Sequence, residues 1–566
     1  MIPTSVTSFG ELFTGDQILI YLMLSIANAI LLFCASMKFI LVLQQCGYRG
    51  RRYFKWLSNK NTPYMSRLML LCLLAFLFFC VLNICFTPLA TKVAGAELGE
   101  TVASYVGLAS YILFTALYIK AESSVNAKVP LKKTRRLVRL SITYCVLLAC
   151  LSFGFIVLFN FIAFVIASDA VALLRLSLLC AMPILIPYIL FLAYAINEPL
   201  ENAIRKYYLR RAEQKLANSD VLKIGITGSY AKTSVKEILK TILSQKYRVL
   251  ATPESYNTPL GIAITVKQLD STHDVFIAEM GARSKGDIKE LAQMVNPKYG
   301  VLTGVNNQHL ETFGSVERIK ETKYELFENL ASDGVAFFSS DNENAKELMA
   351  RFGGEKYSAG IDGSENLVTA TDIKMDERGM SFTLVFAKEK SVKCSTVLLG
   401  RHSVKNICLA AAVAYKIGLS PKEIASGINR IKSIEHRLEL MPNNKKIVLI
   451  DDSYNSNVDG INAAMEVLDS FKGRKIVLTP GLVELGKIEN VVNMDFGRTL
   501  AKHADIVIII GKHNAEMLIN GLIEGGMNRE NIKFASSLSK GNATLNEILA
   551  EGDVVLFEND LPDNYN

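Results

Sequence analysis

Residues 222–234 read LKIGITGSYAKTS: a β-branched run reaches Gly228, turns through Ser229, Tyr230 and Ala231, and enters an amphipathic stretch at Lys232, Thr233 and Ser234. A strand that feeds a tight turn and then a helix aims backbone N–H groups and the positive end of the helix dipole at one point. Phosphate suits that point, with the lysine reaching terminal phosphates and the threonine hydroxyl free to ligate Mg²⁺. Gly228, Ser229, Lys232, Thr233 and Ser234 are therefore the first candidate nucleotide-binding residues. Ala231 stands directly before the lysine, so the strict GxxxxGK spacing is not met. An ordinary strand–helix turn is the plain alternative.

The alternation begun there continues toward the C-terminus. Apolar runs recur at 275–279, 299–304, 335–339, 446–450, 475–478, 506–510 and 554–557, with helical patterns at 234–243, 315–329 and 405–416 between them. Alternating strands and helices predict α/β architecture with two doubly wound, mostly parallel-sheet domains. We place a P-loop ATPase-like central domain at 218–434 and a Rossmann-like C-terminal domain at 435–566. Glu279 closes one strand run, at the sheet edge where open α/β folds bind ligands, and suits a Mg²⁺ ligand; a solvated strand-end carboxylate is the alternative. His309, one of 6 histidines, follows the next strand end and is a candidate metal ligand. A lone histidine is otherwise structural.

Toward the N-terminus the character is different. The whole chain is 50% apolar and 20% charged with a mean hydropathy of +0.26. Five uncharged stretches, 18–37, 68–86, 101–119, 140–168 and 176–197, are each long enough to cross ~30 Å of hydrocarbon as helix. Of the 62 Lys+Arg and 54 Asp+Glu, residues 1–217 hold 21 and 9, a net of +12, which leaves 41 and 45, a net of −4, for 218–566. The basic excess thus travels with the apolar segments, which argues against a nucleic-acid partner. Six basic residues at 45–67, seven at 120–139, and Arg205, Lys206, Arg210, Arg211 and Lys215 fall on one side only if there are five spans. The expectation is a five-span α-helical membrane domain at 1–197 in a bacterial cytoplasmic membrane, N-terminus outside, catalytic domains cytoplasmic. No basic residue precedes the first span, so it does not read as a cleaved signal.

Asn28, Asn83, Asn160 and the Asp169/Arg175 pair are the polar exceptions, the pair reading as interfacial. Residues 198–217 form a basic amphipathic linker, lying along membrane lipids or serving as a plain connector helix. Eight of the 10 Cys lie within 1–217 with no zinc or disulfide spacing, as expected of buried thiols.

Taken together, ITGSYAKTSVKE, SYNTPLGIAITV, EMGARSKGDI, GVNNQHLETFGSVERIKETKYEL, GRHSVKNICLAAAVA, EHRLEL, IDDSYNSNVDG and VELG resemble, in order, the Mur ligase family of ATP-dependent amide-forming enzymes of cell-wall precursor synthesis. Within it they are most similar to the branch that adds D-alanyl-D-alanine to UDP-muramoyl tripeptide. The resemblance implies ATP and Mg²⁺ at two sites. It assigns phosphate binding to Lys232, magnesium binding to Thr233 and Glu279, and the second magnesium to His309. It further implies that Lys323 is carbamylated and helps hold Mg²⁺, that Asn406 contacts nucleotide, and that Arg437 reaches ATP from the C-terminal domain. Asp452, Tyr454 and Asn455 match a stretch beside the nucleotide. Lys232, His309, Lys323 and Arg437 are the expected catalytic set.

Ala231, Ser403 and Val458 depart from the family pattern, as does 555–560 after the last strand. The family's UDP-binding domain is missing, replaced by the five spans. The implied activity is a membrane-anchored ligase joining an amino acid or dipeptide amine, through an acyl phosphate, to an envelope-precursor carboxylate that is a lipid-linked precursor or another envelope molecule presented at the bilayer rather than a free UDP-sugar peptide. Its rival is an ATP-binding membrane scaffold without catalysis.

Overall fold

In the computed structural model the described residues are 14–58, 64–94, 96–123, 131–165, 182–253, 256–306, 313–363, 365–376, 379–387, 390–433, 436–441, 446–453, 458–483, 485 and 488–558. The chain divides into two units, Met1–Ile204 and Arg205–Asn566.

The first unit is helical. Its long helices are Gly15–Ala35, Tyr64–Ala94, Ala96–Ser123, Arg135–Val165 and the start of Ile186–Ala217; residues 166–168 and 176–181 of the fourth and fifth expected spans lie outside the described residues. Among the described residues three helices are long and apolar enough to cross a membrane: Gly15–Ala35, Arg135–Ile162 and Met182–Ala217. Arg67–Phe78 and Tyr105–Ala121 are shorter apolar stretches. Asn28 sits at the centre of a polar cluster: it accepts from the Tyr111 hydroxyl at 2.9 Å and donates to Ser152 Oγ at 2.9 Å. Asn160 donates locally to the Ile156 carbonyl at 2.7 Å. The Asn83 side chain, Asp169 and Arg175 lie outside the described residues.

Residues 198–217, expected as a separate linker, are continuous with the fifth apolar segment in one helix, Ile186–Ala217, through Pro199. Within the second unit Ala212 and Leu216 are buried in a cluster with Ile262, Val266 and Phe276. Arg205 pairs with Glu290 at 3.0 Å, and Lys215 donates to the Lys267 carbonyl at 3.0 Å.

Two sheets build the rest. The first holds β1 (Leu222–Thr227), β2 (Val249–Ala251), β3 (Val275–Glu279), β4 (Tyr299–Leu302), β5 (Val335–Ser339), β6 (Glu355–Gly360), β7 (Val368–Asp376), β8 (Gly379–Phe386) and β9 (Lys390–Thr396). Their order is β2-β3-β1-β4-β5-β6-β7-β8-β9, with β1–β7 parallel and β7–β9 an antiparallel meander on the edge. Strands covered by helices on both faces read as unbroken apolar runs, and β3 and β5 are buried at every residue.

The second sheet holds β10 (Glu439–Met441), β11 (Val448–Asp452), β12 (Lys475–Thr479), β13 (Ile506–Ile510), β14 (Ile532–Ala535) and β15 (Val554–Glu558), in the order β10-β11-β15-β12-β13-β14. Among the described residues only β10 runs antiparallel. The two mostly parallel sheets are the expected pair.

In the first sheet the chain leaves β1 outward to β2 on one side and later returns to β4 on the other. That reversal opens a crevice at the C-terminal ends of β3, β1 and β4, where open α/β folds bind ligands.

Candidate active site

The loop between β1 and the helix Lys232–Leu243 has two unusual backbone positions. Gly228 has φ +155°, and a Cβ there would collide with the Thr303 hydroxyl. Ala231, the N-cap, is left-handed at φ +59°. Gly304, after β4, has φ +152°, and a Cβ there would strike the Tyr230 ring. The two segments are laced together: Ser229 N donates to the Gly304 carbonyl at 2.8 Å, and Thr303 Oγ1 donates to the Tyr230 carbonyl. The result is a backbone loop at a helix N-terminus, of the polarity phosphate requires.

Lys232 folds back over that loop and donates to the Gly228 carbonyl at 2.8 Å and the Ser229 carbonyl at 3.3 Å. Burial pushes its pKa down to about 8; Glu279 opposes this and Arg437 adds to it. Ser234 lies half-buried in the first helical turn.

Glu279 ends β3, only 1% exposed. Its Oε2 accepts from Thr233 Oγ1 at 2.9 Å and from Lys236 Nζ at 3.3 Å; its Oε1 accepts from Asn257 Nδ2 at 3.1 Å. A threonine hydroxyl and a carboxylate, side by side beneath a phosphate cradle, are hard oxygen donors of the kind Mg²⁺ takes while keeping several waters. The donor set therefore fits that ion. Among the described residues no cluster of three His, Cys, Asp or Glu offers a protein-only cage.

Lys323 lies on the helix Val316–Glu328, started by Ser315, which caps Arg318 N. It is 3% exposed and makes no hydrogen bond among the described residues. Burial, reinforced by the nearby charge of Lys232, pushes its pKa down to about 7 against the pull of Asp287 and Glu325. Its neighbour Glu325 accepts from Gly286 N at 2.8 Å and Lys289 N at 3.0 Å, fixing the 281–289 segment beside it.

Arg437 reaches this region from the second sheet's side: its charge acts on Lys232, His402 and Asp452. Asp452, at the end of β11, is pushed up to about 6 by burial, with Arg437 opposing. It accepts from Leu438 N at 3.3 Å. Asn406 lies half-buried in the second turn of the helix Arg401–Ile417.

The expected residues Lys232, Thr233, Glu279, Lys323, Arg437 and Asp452 thus converge on one crevice. His309, Tyr454 and Asn455 lie outside the described residues. Three side chains went unassigned in the sequence. Asn257 and Lys236 grip Glu279, and His402 has a buried Nδ1 without a partner among the described residues and a pKa held down to about 4 by burial, Arg437 and Lys405. The available signal for Lys236 was a lysine one turn after Thr233, on the apolar helix face shared by Val235 and Leu239.

Residues 226–414 match the Mur ligase middle domain, and residues 436–558 the Mur ligase glutamate ligase domain. The chain is 27% identical over 343 residues to the UDP-N-acetylmuramoyl-tripeptide–D-alanyl-D-alanine ligase of Bacillus subtilis, covering 59% of this chain and 72% of that protein. It is 30% identical over 293 residues to the Escherichia coli enzyme of the same name, covering 51% of this chain and 65% of that one. Against these relatives it therefore spans about two-thirds of their length. A crystal structure of MurF from Acinetobacter baumannii superposes with a TM-score of 0.57 at 24% identity, over 63% of this chain and 77% of that one. MurF of Thermotoga maritima in complex with ADP gives 0.56 at 23%, over 63% and 80%. These two share the fold.

Proposed function

Over residues 226–558 the chain belongs to the Mur ligase family of ATP-dependent ligases, and we propose that it joins a peptide carboxylate to an amine through an acyl phosphate. The observation that carries this reading is the Thr233–Glu279 pair beneath the Gly228–Ala231 cradle, with Lys232, Lys323 and Arg437 turned to the same crevice. A carboxylate oxygen attacks the γ-phosphorus of ATP, the bond to ADP breaks, and the amine nitrogen then displaces phosphate from the acyl carbon. Negative charge gathers in both steps. Lys232 and Arg437 place positive charge where it gathers, in a crevice whose low effective dielectric strengthens that attraction. Thr233 and Glu279 would hold Mg²⁺, with His309 assigned to it by family resemblance, and the ion would supply Lewis-acid stabilisation of the phosphate oxygens.

Lys323 serves as a carbamate. With its pKa pushed down to about 7, Lys323 has a substantial neutral fraction at neutral pH, and a neutral amine adds to CO₂ with loss of a proton; the product is an anion that suits a metal in place of a cation that repels it. Asn406 and Asp452, and by family resemblance Tyr454 and Asn455, are assigned to nucleotide binding.

The amine is D-alanyl-D-alanine or a similar dipeptide, as the names of the relatives suggest. The acceptor belongs to the muramoyl-peptide class and is lipid-linked. Residues 1–197 form five spans, with the N-terminus outside and the catalytic domains cytoplasmic. Rows of exposed aliphatic side chains support this, including Leu22, Ile26 and Ile30 on one helix, Leu70, Leu73 and Leu77 on another, and Ile112 and Leu113 on a third. Water would penalise such surfaces and lipid would not. Comparing amide formation with soluble UDP-muramoyl tripeptide and with its lipid-linked form tests the acceptor. Equal or better turnover of the soluble form would defeat the lipid assignment and leave the ligase assignment standing.

A further inference from the structure

Lys236 is a fully buried lysine, 0% exposed, that the ligase chemistry above does not use. It stands one helical turn after Thr233, so both side chains leave the same face and meet the same carboxylate oxygen, Glu279 Oε2, at 2.9 and 3.3 Å. A second carboxylate, Glu237 Oε1, lies 3.4 Å from its ammonium. Burying an ammonium is costly unless an opposite charge is close, and a buried carboxylate carries the same cost. Lys236 and Glu279, both buried, thus answer each other's charge.

That balance changes when a divalent cation binds. The ion would take the same carboxylate that Lys236 already neutralises, and two like charges would then share one anion. Coulomb repulsion at such separations in a low-dielectric crevice is substantial. We propose that Lys236 is a resident counter-cation of the Glu279 site: it holds the carboxylate in place when no metal is bound, and it weakens binding of a free divalent cation so that the ion enters together with the nucleotide phosphates. The phosphates bring the additional negative charge that makes the crowded arrangement favourable. This inference rests on Thr233 and Glu279 being metal ligands.

The test uses the full chain in detergent and reads metal binding rather than turnover. Mn²⁺ alone is titrated and followed by electron paramagnetic resonance, and melting is recorded with and without Mg²⁺ alone. Lys236→Met is expected to bind Mn²⁺ about 10-fold more tightly than wild type without nucleotide, since one unit of positive charge is gone. It is also expected to melt lower without Mg²⁺ and to gain more from added Mg²⁺. With nucleotide present the two proteins should differ less. Unchanged or weaker Mn²⁺ binding by a folded Lys236→Met overturns the proposal while leaving the metal site intact. Absence of saturable Mn²⁺ binding in both proteins overturns the metal reading itself, and the proposal with it. Should Lys236→Met fail to fold, the double variant Lys236→Met/Glu279→Gln decides: recovery of a folded protein supports charge balance, and continued failure means that Lys236 acts by packing, which refutes it.

Discussion

The hydroxyl of Thr233 donates to Glu279 Oε2 at 2.9 Å, linking the first turn of a helix to the end of a strand 46 residues later. Both donors must stay in place for a cation to be held. Thr233→Val is expected to raise the Mg²⁺ concentration needed for half-maximal ATP turnover by about 10-fold, and Glu279→Gln by about 100-fold or more. ADP release measured across a Mg²⁺ titration checks both.

Lys323 has a folded-state pKa of about 7 against an ordinary 10.5. Between those limits the unfolded chain binds more protons, so stability rises with pH across that window. Below pH 7 the full penalty of burying the ammonium is present. Lys323→Met should therefore melt higher than wild type at pH 6, with the gap narrowing by pH 9. A gap equal at both values would contradict this. Independently, ¹³C-bicarbonate should give wild-type protein a carbamate resonance that Lys323→Met lacks.

Ala231 carries a left-handed φ of +59°, a conformation that costs a residue with a Cβ about 1–2 kcal/mol and glycine far less. Part of the gain is returned as chain entropy in the unfolded state. Ala231→Gly is expected to stabilise the protein by about 0.5–1 kcal/mol, read from urea melts in detergent.

The Arg437 charge lowers the pKa of Asp452, which burial raises to about 6. Arg437→Ala should move that value further up and reduce kcat by about 100-fold, with a smaller change in the KM for ATP. A loss confined to KM would place Arg437 in ground-state binding alone.

The proposed five-span topology with an external N-terminus predicts that the protein leaves the membrane only with detergent. A tag fused before residue 1 should be cut by protease added to intact spheroplasts, and a tag after residue 566 should survive until lysis.

The sequence made some elements plain and hid others, for physical reasons. β1, β3, β4 and β5 are sandwiched between helices, so nothing but apolar residues fits and they stand out as unbroken runs. The meander β7–β9 mixes buried and exposed residues: in β8 the burial alternates, and Lys390, Lys393 and their neighbours dilute the pattern of β9. These strands do not stand out in the sequence, and neither do the short strands β2, β6, β10 and β14. Lys232 and Thr233 announced themselves through a local turn. Lys236 and Asn257 could not, because their role depends on Glu279, 43 and 22 residues away along the chain. Arg437 was reachable only through family resemblance, since its place beside Lys232 depends on how two sheets pack.

The helix Ile186–Ala217 ends with Ala212 and Leu216 set against Ile262, Val266 and Phe276. Anyone excising a soluble catalytic fragment by starting at residue 218, where the composition changes, would strip that cover and leave an oily wound prone to clumping. A fragment beginning at Arg205 keeps those side chains, together with the Arg205–Glu290 pair, and so has a reason to stay dispersed.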